Sequence, residues 1–200
     1  MKTNVGIVVD NELNDDKRVL REIDILKEYG YKIFVLCFGF DGKSYPAIEG
    51  IHITRIKISK SFKNILFFST NSIPLYEWLW ISKITKFITE NKINILHVHD
   101  LYLSRSACLG IKKCKKKIPF VLDLHENYPY AIQTYNWTQG ALRGFISRPL
   151  KWQSKEGKYL RYPDKIVVLS EEFKEDLLDR YIFLKAEDFC VFPNVPIICM

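Results

Sequence analysis

Residues 93–103, Ile-Asn-Ile-Leu-His-Val-His-Asp-Leu-Tyr-Leu, decide the fold class, because a short apolar strand ends there in polar side chains and leads into a helix. Ile93–Val98 has the aliphatic and β-branched residues of a buried strand. The apolar residues that follow recur at steps of four, four and three, the spacing of one helix face: Leu103, Ala107, Ile111 and Cys114. The stretch therefore predicts a strand followed by a helix.

The same alternation continues in both directions along the chain. Further strands are predicted at Val5–Val9, Ile33–Phe38, Ile51–Ile58, Phe120–Leu124, Ile166–Leu169 and Phe189–Phe192. Further helices are predicted around Val19–Tyr29, at Ile73–Glu90, within Ala141–Tyr162 and after the N-cap residue Ser170. Repeated strand–helix units predict an α/β fold with three layers and a mainly parallel sheet. Ile51–Ile58 alternates apolar and polar residues, which is typical of an edge strand.

Composition limits the class of protein. The chain has 200 residues, of which 48% are hydrophobic and 14% aromatic, so it has enough apolar surface for one folded domain and is not disordered. We predict a domain over residues 1–192, followed by the start of an interdomain hinge at 193–200, where the sequence Pro-Asn-Val-Pro occurs. The net charge of +7 favours anionic partners, although an ordinary basic protein would also carry it.

The cysteines and the first residues indicate the compartment. The five cysteines form no Cys-x-x-Cys pair and have no zinc-finger spacing, so we expect reduced thiols: Cys37, Cys108, Cys114, Cys190 and Cys199. The first residues lack the pattern of a signal peptide. The longest apolar stretch, Ile65 to Ile81, is too often interrupted by polar residues to span a membrane. We therefore expect a cytoplasmic protein.

Ligands of parallel α/β folds bind at the carboxyl ends of the strands, so the residues after each strand matter most. The first strand is followed by residues 10–16, Asp-Asn-Glu-Leu-Asn-Asp-Asp, which contain no glycine. That loop excludes the glycine-rich turn of dinucleotide-binding proteins, and no P-loop occurs elsewhere. The sequence also lacks the phosphate loop of a flavodoxin-like protein and the acidic phosphoacceptor pocket of a response regulator, which counts against both folds. Arg18 is either a cation for a phosphate or a surface charge on the first helix.

Two histidine-containing stretches end two strands that are predicted to follow each other along the chain. His97 and His99 share one strand face, and Asp100 follows them. His125 and Glu126 come directly after the next strand. If the two strands are neighbours, these side chains line one wall of a cleft, where a histidine can bind a sugar hydroxyl or relay a proton.

Purely structural interpretations remain open for the same residues. His97 is expected to be a buried histidine satisfied by backbone groups, and the residues around His125 also fit a helix N-terminus. Two histidines and an aspartate could bind a metal, but no further ligand is convincingly placed, so we predict no metal site.

Six segments carry a more specific signal, in the following order along the chain. They are Asp16-Lys17-Arg18-Val19, EIDILKEYGYKIFVL (22–36), INILHVHDLYL (93–103), IPFVLDLHENYP (118–129), PDKIVVLSEEFKEDL (163–177) and VFPNVP (191–196). In this order they resemble the N-terminal domain of a family 4 glycosyltransferase with the GT-B fold, and the resemblance covers nearly the whole chain.

The resemblance implies two Rossmann-like domains that face each other across a cleft. The N-terminal domain would receive the acceptor, and the C-terminal domain would hold the nucleotide-sugar donor with two glutamates separated by seven residues. No such pair occurs here; Glu171 and Asp179 have the spacing, but on a predicted helix whose other face is core. We therefore expect the chain's own C-terminal domain to be missing and the fragment to be inactive alone. The family's first loop is often glycine-rich, and this sequence departs from that pattern.

The resemblance also implies roles for individual residues. His125 would be the catalytic residue, beside the donor sugar, and Asp100 and Glu126 would contact acceptor hydroxyls. The remaining residues expected to bind acceptor or donor sugar are His99, Asn127, Arg18 and Asn11. Transfer would retain the anomeric configuration and would need no metal and no cofactor, since the nucleotide-sugar is a substrate.

The function that follows is the acceptor-side domain of a retaining glycosyltransferase that acts on a glycan or lipid-linked acceptor, in bacterial-type cell-surface polysaccharide synthesis. The alternative is a non-catalytic α/β domain that binds a glycan or an anionic ligand. Residues 141–165 carry seven basic and two acidic side chains, so we also expect a peripheral contact with anionic lipid at the inner face of the plasma membrane. No nucleic-acid-binding module is recognised.

Overall fold

The structure, a computed structural model, describes residues 2–135, 148 and 150–193. Within them one sheet contains seven strands in the order β3-β2-β1-β4-β5-β6-β7, and every neighbouring pair is parallel. The strands are β1 (Asn4–Val8), β2 (Lys32–Phe40), β3 (Ile51–Ile58), β4 (Ile95–His99), β5 (Phe120–Asp123), β6 (Lys165–Val168) and β7 (Phe189–Val191). The predicted parallel α/β fold is confirmed, with β3 at one edge of the sheet.

The described helices are α1 (Lys17–Glu28), α2 (Lys60–Phe68), α3 (Leu75–Glu90), α4 (Ser104–Lys113), α5 (Tyr128–Thr134), α6 (Lys151–Tyr159) and α7 (Glu171–Arg180). Short 3₁₀ turns occupy Leu101–Leu103 and Ala186–Asp188. Most of the first half of the predicted Ala141–Tyr162 helix lies outside the described residues. None of the described helices is long and apolar enough to cross a bilayer.

Helix α2 is an element that the sequence analysis missed. It begins after Ser59, whose hydroxyl oxygen accepts a hydrogen bond from the Phe62 backbone N–H at 3.2 Å. Only Leu66 of this helix is buried, so its apolar residues form no clear inward stripe. The predicted Ile73–Glu90 helix begins two residues late, because Pro74 precedes its first turn.

Helices cover both faces of the sheet, which explains the continuous apolar strands. On one face α1 packs Val19 and Ile23 against Ile7, Ile33 and Val35. On the other face α3, α4, α6 and α7 share a larger core with the opposite side chains of the strands. The alternation of side chains along each strand thus supplies two cores, and the carboxyl ends of the strands remain open between them.

Helices α3 and α4 pack closely, and one glycine makes this possible. A Cβ added to Gly110 on α4 would lie 2.9 Å from Cγ2 of Ile84 on α3, which is below any normal contact. Gly110 therefore sets the distance between the two helices, one of which directly follows β4.

Candidate functional site

A cleft of about 530 Å³ opens at the carboxyl ends of the central strands. Its walls are the β1–α1 loop, the first turn of α1 and the His125 side chain after β5. This is the position at which parallel α/β folds bind ligands. The structure therefore brings together segments that lie more than 100 residues apart in the sequence.

The β1–α1 loop is shaped by its own polar side chains. The Asp16 carboxylate caps α1 by accepting a hydrogen bond from the Val19 N–H at 3.1 Å. Asn11 donates to Asp16 at 2.7 Å and accepts from the Leu13 N–H at 2.7 Å. Asn11 lines the cleft as predicted, but both ends of its amide are engaged within the loop. This acidic loop thus supplies the N-cap of α1.

His99 and His125 converge as the strand order requires. β4 and β5 are neighbours, and Nδ1 of His99 lies 2.7 Å from Nε2 of His125. The His125 side chain is 22% exposed and lines the cleft, whereas the His99 side chain is 1% exposed. Burial holds the pKa of His99 well below its usual range, so this ring is neutral. The expectation that His99 contacts a sugar directly is corrected, because it is sealed behind His125.

Arg18 is also buried, which contradicts the surface-charge interpretation. Its Nη2 donates to both carboxylate oxygens of Asp123 at 2.9 Å, and its Nη1 donates to the Phe192 carbonyl at 2.7 Å. The Arg18 side chain is 5% exposed, and its guanidinium forms a buried ion pair with Asp123. The expectation that Arg18 serves as a free cation for a ligand phosphate is corrected accordingly.

Glu22, His97, His99 and Asp123 form a buried cluster in which one ligand atom of each lies within 4.8 Å of the others. The expectation that backbone groups satisfy His97 is wrong: its Nε2 has no hydrogen-bond partner among the described residues, and its ring nitrogens lie 4.0 Å from carboxyl oxygens of Glu22 and Asp123. Burial lowers the pKa of His97 to about 4.

The cluster fits a shared proton better than a metal ion. The His97 and His99 rings are stacked with centroids 4.7 Å apart, so their in-plane lone pairs run side by side instead of converging. A positive charge is already present, because Nε of Arg18 lies 3.4 Å from Glu22 and its Nη2 binds Asp123. The absence of a metal requirement stays a prediction.

A second group of carboxylates borders the site at the ends of β1, β4 and β5. Asp100 accepts a hydrogen bond from Tyr102 at 2.9 Å and adopts φ 75°, a left-handed conformation that is rare outside glycine. Burial raises the pKa of Asp100 to about 6. Glu126 accepts from Tyr135 at 2.6 Å. Asn127 precedes α5, and its buried Oδ1 has no partner among the described residues.

Asp10 extends this acidic group and was missed by the sequence analysis. It follows β1, is buried, accepts a hydrogen bond from Tyr76 and pairs with Lys63 at 3.2 Å. Glu22 and Asp123 were missed as well. The available signal was an ionisable residue inside an apolar pattern: Glu22 interrupts the inward face of α1, and Asp123 ends an otherwise apolar strand.

Comparisons with known proteins agree with this architecture. A family model described as Glycosyltransferase Family 4 matches residues 18–195. No curated protein sequence matches the chain.

Several solved structures share the fold. They include the lipopolysaccharide outer core galactosyltransferase WaaB in its apo form (13% identity, TM-score 0.60, 97% of this chain and 46% of that one). Sucrose-phosphate synthase from Thermosynechococcus elongatus is 12% identical, with a TM-score of 0.62 over 96% of this chain and 48% of that one. Phytolacca americana UGT2 complexed with UDP-2fluoro-glucose and pterostilbene is 9% identical, with a TM-score of 0.55 over 99% of this chain and 55% of that one. The chain thus spans about half the length of these proteins, and at such identities the likeness shows the fold.

Proposed function

The chain belongs to Glycosyltransferase Family 4 and has the fold of one half of a GT-B enzyme, and from this premise we propose that it is the acceptor-side domain of a retaining glycosyltransferase. The reaction would move a sugar from a nucleotide-sugar to a glycan or lipid-linked acceptor. The observation that carries the proposal is the partly exposed imidazole of His125, which lies 2.7 Å from a buried histidine and lines a cleft at the carboxyl ends of the strands.

His125 is the proposed catalytic residue, placed beside the donor sugar. Its ring is positioned from behind by His99, and its exposed side faces the cleft. An oxocarbenium-like transition state is favoured by nearby polar groups that are already oriented before the reaction begins. The short contact to His99 supports that role, because it limits rotation of the His125 ring.

Asp100 and Glu126 are the proposed contacts for acceptor hydroxyls. Both are partly buried carboxylates near His125, and carboxylates accept hydrogen bonds from hydroxyl groups. Asp10 adds a third carboxylate, whose buried Oδ2 has no hydrogen-bond partner among the residues described. Since this wall is acidic, it suits a hydroxyl-bearing acceptor better than an anionic one.

The donor half is proposed to come from a C-terminal domain that the chain does not include. The acids Glu12, Asp15 and Asp16 border the cleft and outnumber its lysine, Lys17, so this wall would repel a diphosphate. Arg18 cannot offset them, because its guanidinium binds Asp123. The cations that neutralise the leaving diphosphate would therefore belong to the partner domain, so we expect the fragment alone to be inactive.

We further propose a cytoplasmic location with a peripheral contact to anionic lipid at the inner face of the plasma membrane, in cell-envelope polysaccharide synthesis. Exposed apolar side chains concentrate between α2 and the start of α3, where Phe62, Ile65, Ile73 and Trp78 are each at least 50% exposed. Such residues next to lysines favour insertion into a lipid interface.

The decisive experiment is a screen of the full-length gene product for binding of nucleotide-sugars and for transfer to glycan and lipid-linked acceptors. Transfer with retained anomeric configuration supports the proposal. Glycan binding without transfer would instead favour a non-catalytic binding domain, and inversion at the anomeric carbon would contradict the retaining mechanism.

A further inference from the structure

A line of buried polar groups runs from the cleft into the protein behind His125. Nε2 of His125 lies 2.7 Å from Nδ1 of His99, and Nε2 of His99 lies 3.5 Å from Oε2 of Glu22. Glu22 is 7% exposed, and neither of its carboxyl oxygens nor Nε2 of His99 has a hydrogen-bond partner within the part of the chain that the structure describes. Two protons, one on Glu22 and one on Nε2 of His99, would give each of the three atoms a complementary neighbour.

Glu22 is the carboxyl group that carries the first of these protons. Two buried carboxyl groups, Glu22 and Asp123, share a single guanidinium, and both of the hydrogen bonds that Arg18 gives to a carboxylate go to Asp123. A second uncompensated carboxylate in the same buried space would be costly, so Glu22 is the neutral acid. Burial and the neighbouring Asp123 charge raise the pKa of Glu22 to about 10, in agreement with the geometry.

A neutral carboxylic acid has a hydroxyl donor and a carbonyl acceptor. Which of its neighbours faces the donor sets the donor-to-acceptor direction along the whole line of polar groups. A Glu22 hydroxyl is placed to donate to the Asp123 carboxylate, because ligand oxygens of the two groups lie within 4.8 Å of each other and the carboxylate is the stronger acceptor. The Glu22 carbonyl oxygen then faces Nε2–H of His99 at 3.5 Å, where the two attract electrostatically. The opposite arrangement would turn the Glu22 carbonyl oxygen toward the Asp123 carboxylate, and two acceptors would face each other in a buried site.

The direction continues to the cleft. Neutral His99, protonated at Nε2, has only an acceptor at Nδ1, so the hydrogen bond at 2.7 Å requires His125 to donate from its Nε2. Nδ1 of His125 is then a free acceptor, and it has no partner among the residues that the structure describes.

We propose that Glu22 and His99 are positioning residues that hold His125 protonated at Nε2, so that its Nδ1 presents a hydrogen-bond acceptor to a hydroxyl group of the ligand in the cleft. The identity of that ligand as a sugar rests on the proposed function; the tautomer of His125 does not.

The chain offers a matched pair of variants at one position. In Glu22→Gln the side-chain amide donates to Asp123 and its carbonyl accepts from His99, so the direction of the line is kept. In Glu22→Leu the volume is similar but both functions are lost. If the role of Glu22 were purely structural, the two variants would differ only in stability. The proposed role predicts that they also differ in the tautomer of His125.

The test is nitrogen-15 NMR of the histidine-labelled chain, which has four histidines to assign. We expect wild type and Glu22→Gln to show the shared proton bonded to His125 Nε2, with a coupling across the hydrogen bond to His99 Nδ1. In Glu22→Leu that coupling should be lost or the proton should move to His99.

Three results would overturn the proposal: a proton on His99 Nδ1 in wild type, no coupling in wild type, or an unchanged coupling in Glu22→Leu. The wild-type spectrum decides the direction even if the leucine variant does not fold. Since the measurement needs no donor sugar, a confirmed tautomer without sugar transfer would count against the proposed function alone.

Discussion

Arg18 on α1 donates two hydrogen bonds of 2.9 Å to the carboxylate of Asp123 at the end of β5, and both side chains are buried. Replacing Arg18 by Met leaves the Asp123 charge unpaired in a buried site, so we expect the free energy of unfolding to fall by about 3–5 kcal/mol. Urea unfolding of the two proteins measures this difference.

An exposed ion pair provides the control for that measurement. Lys86 and Glu90 are 3.6 Å apart on α3, with side chains 69% and 58% exposed. Lys86→Met should change the free energy of unfolding by less than about 1 kcal/mol. Equal losses in the two variants would show that burial does not strengthen the Arg18–Asp123 pair.

The catalytic assignment of His125 predicts a loss of turnover without a loss of folding. In the full-length protein, His125→Ala should lower kcat by a factor of about ten or more, within the usual contribution of a positioned acid–base or polar group. Its thermal midpoint should change little, because the side chain is partly exposed and makes a single side-chain hydrogen bond among the described residues.

His52 on β3 is the matched control for His125, because it is an exposed histidine at the edge of the sheet. His52→Ala should leave kcat unchanged. Unchanged turnover in His125→Ala would remove His125 from the site, and an equal loss in both variants would indicate a general effect on the fold.

The sequence was sufficient for the architecture and for the convergence of two histidines. Apolar strands that alternate with helices require a parallel sheet, and polar residues after β4 and β5 must then meet if the strands pair, as His99 and Asp123 do in the register. The partner of Asp123 could not be predicted, because Arg18 lies 105 residues away and a helix places it there only through tertiary packing. Helix α2 gave no periodic signal, because Leu66 is the only one of its apolar side chains that is buried.

The neutral state of Glu22 predicts how stability depends on pH. Because the pKa of Glu22 is about 10 in the folded protein and 4.5 in a model compound, the folded state holds a proton that the unfolded state releases between these values. The stability that this proton gives is fully present below about pH 4.5 and is lost as the pH rises. Glu22→Gln cannot titrate, so it should gain stability relative to wild type by at most about 1.4 kcal/mol per pH unit.

The difference between the two proteins isolates Glu22, because the groups that face it are common to both: Asp123, Arg18, His97 and His99. Urea unfolding of both proteins at several values between about pH 5 and pH 9 measures the slope. A difference that does not change with pH would mean that Glu22 is ionised throughout and would contradict the shared-proton interpretation of the cluster.

The exposed apolar residues between α2 and α3 predict binding to anionic vesicles. Phe62 and Trp78 are 53% and 58% exposed, and burying such side chains in a lipid interface gives about 1.5–3 kcal/mol each. The Phe62→Ser, Trp78→Ser double variant should therefore lower the vesicle-bound fraction at least tenfold in co-sedimentation at low salt. Ile182→Ser, at a residue that is 98% exposed outside this stretch, should leave binding unchanged. Absence of binding by the wild-type chain at low salt would reject the membrane contact, and equal losses in both variants would reject this surface as its cause.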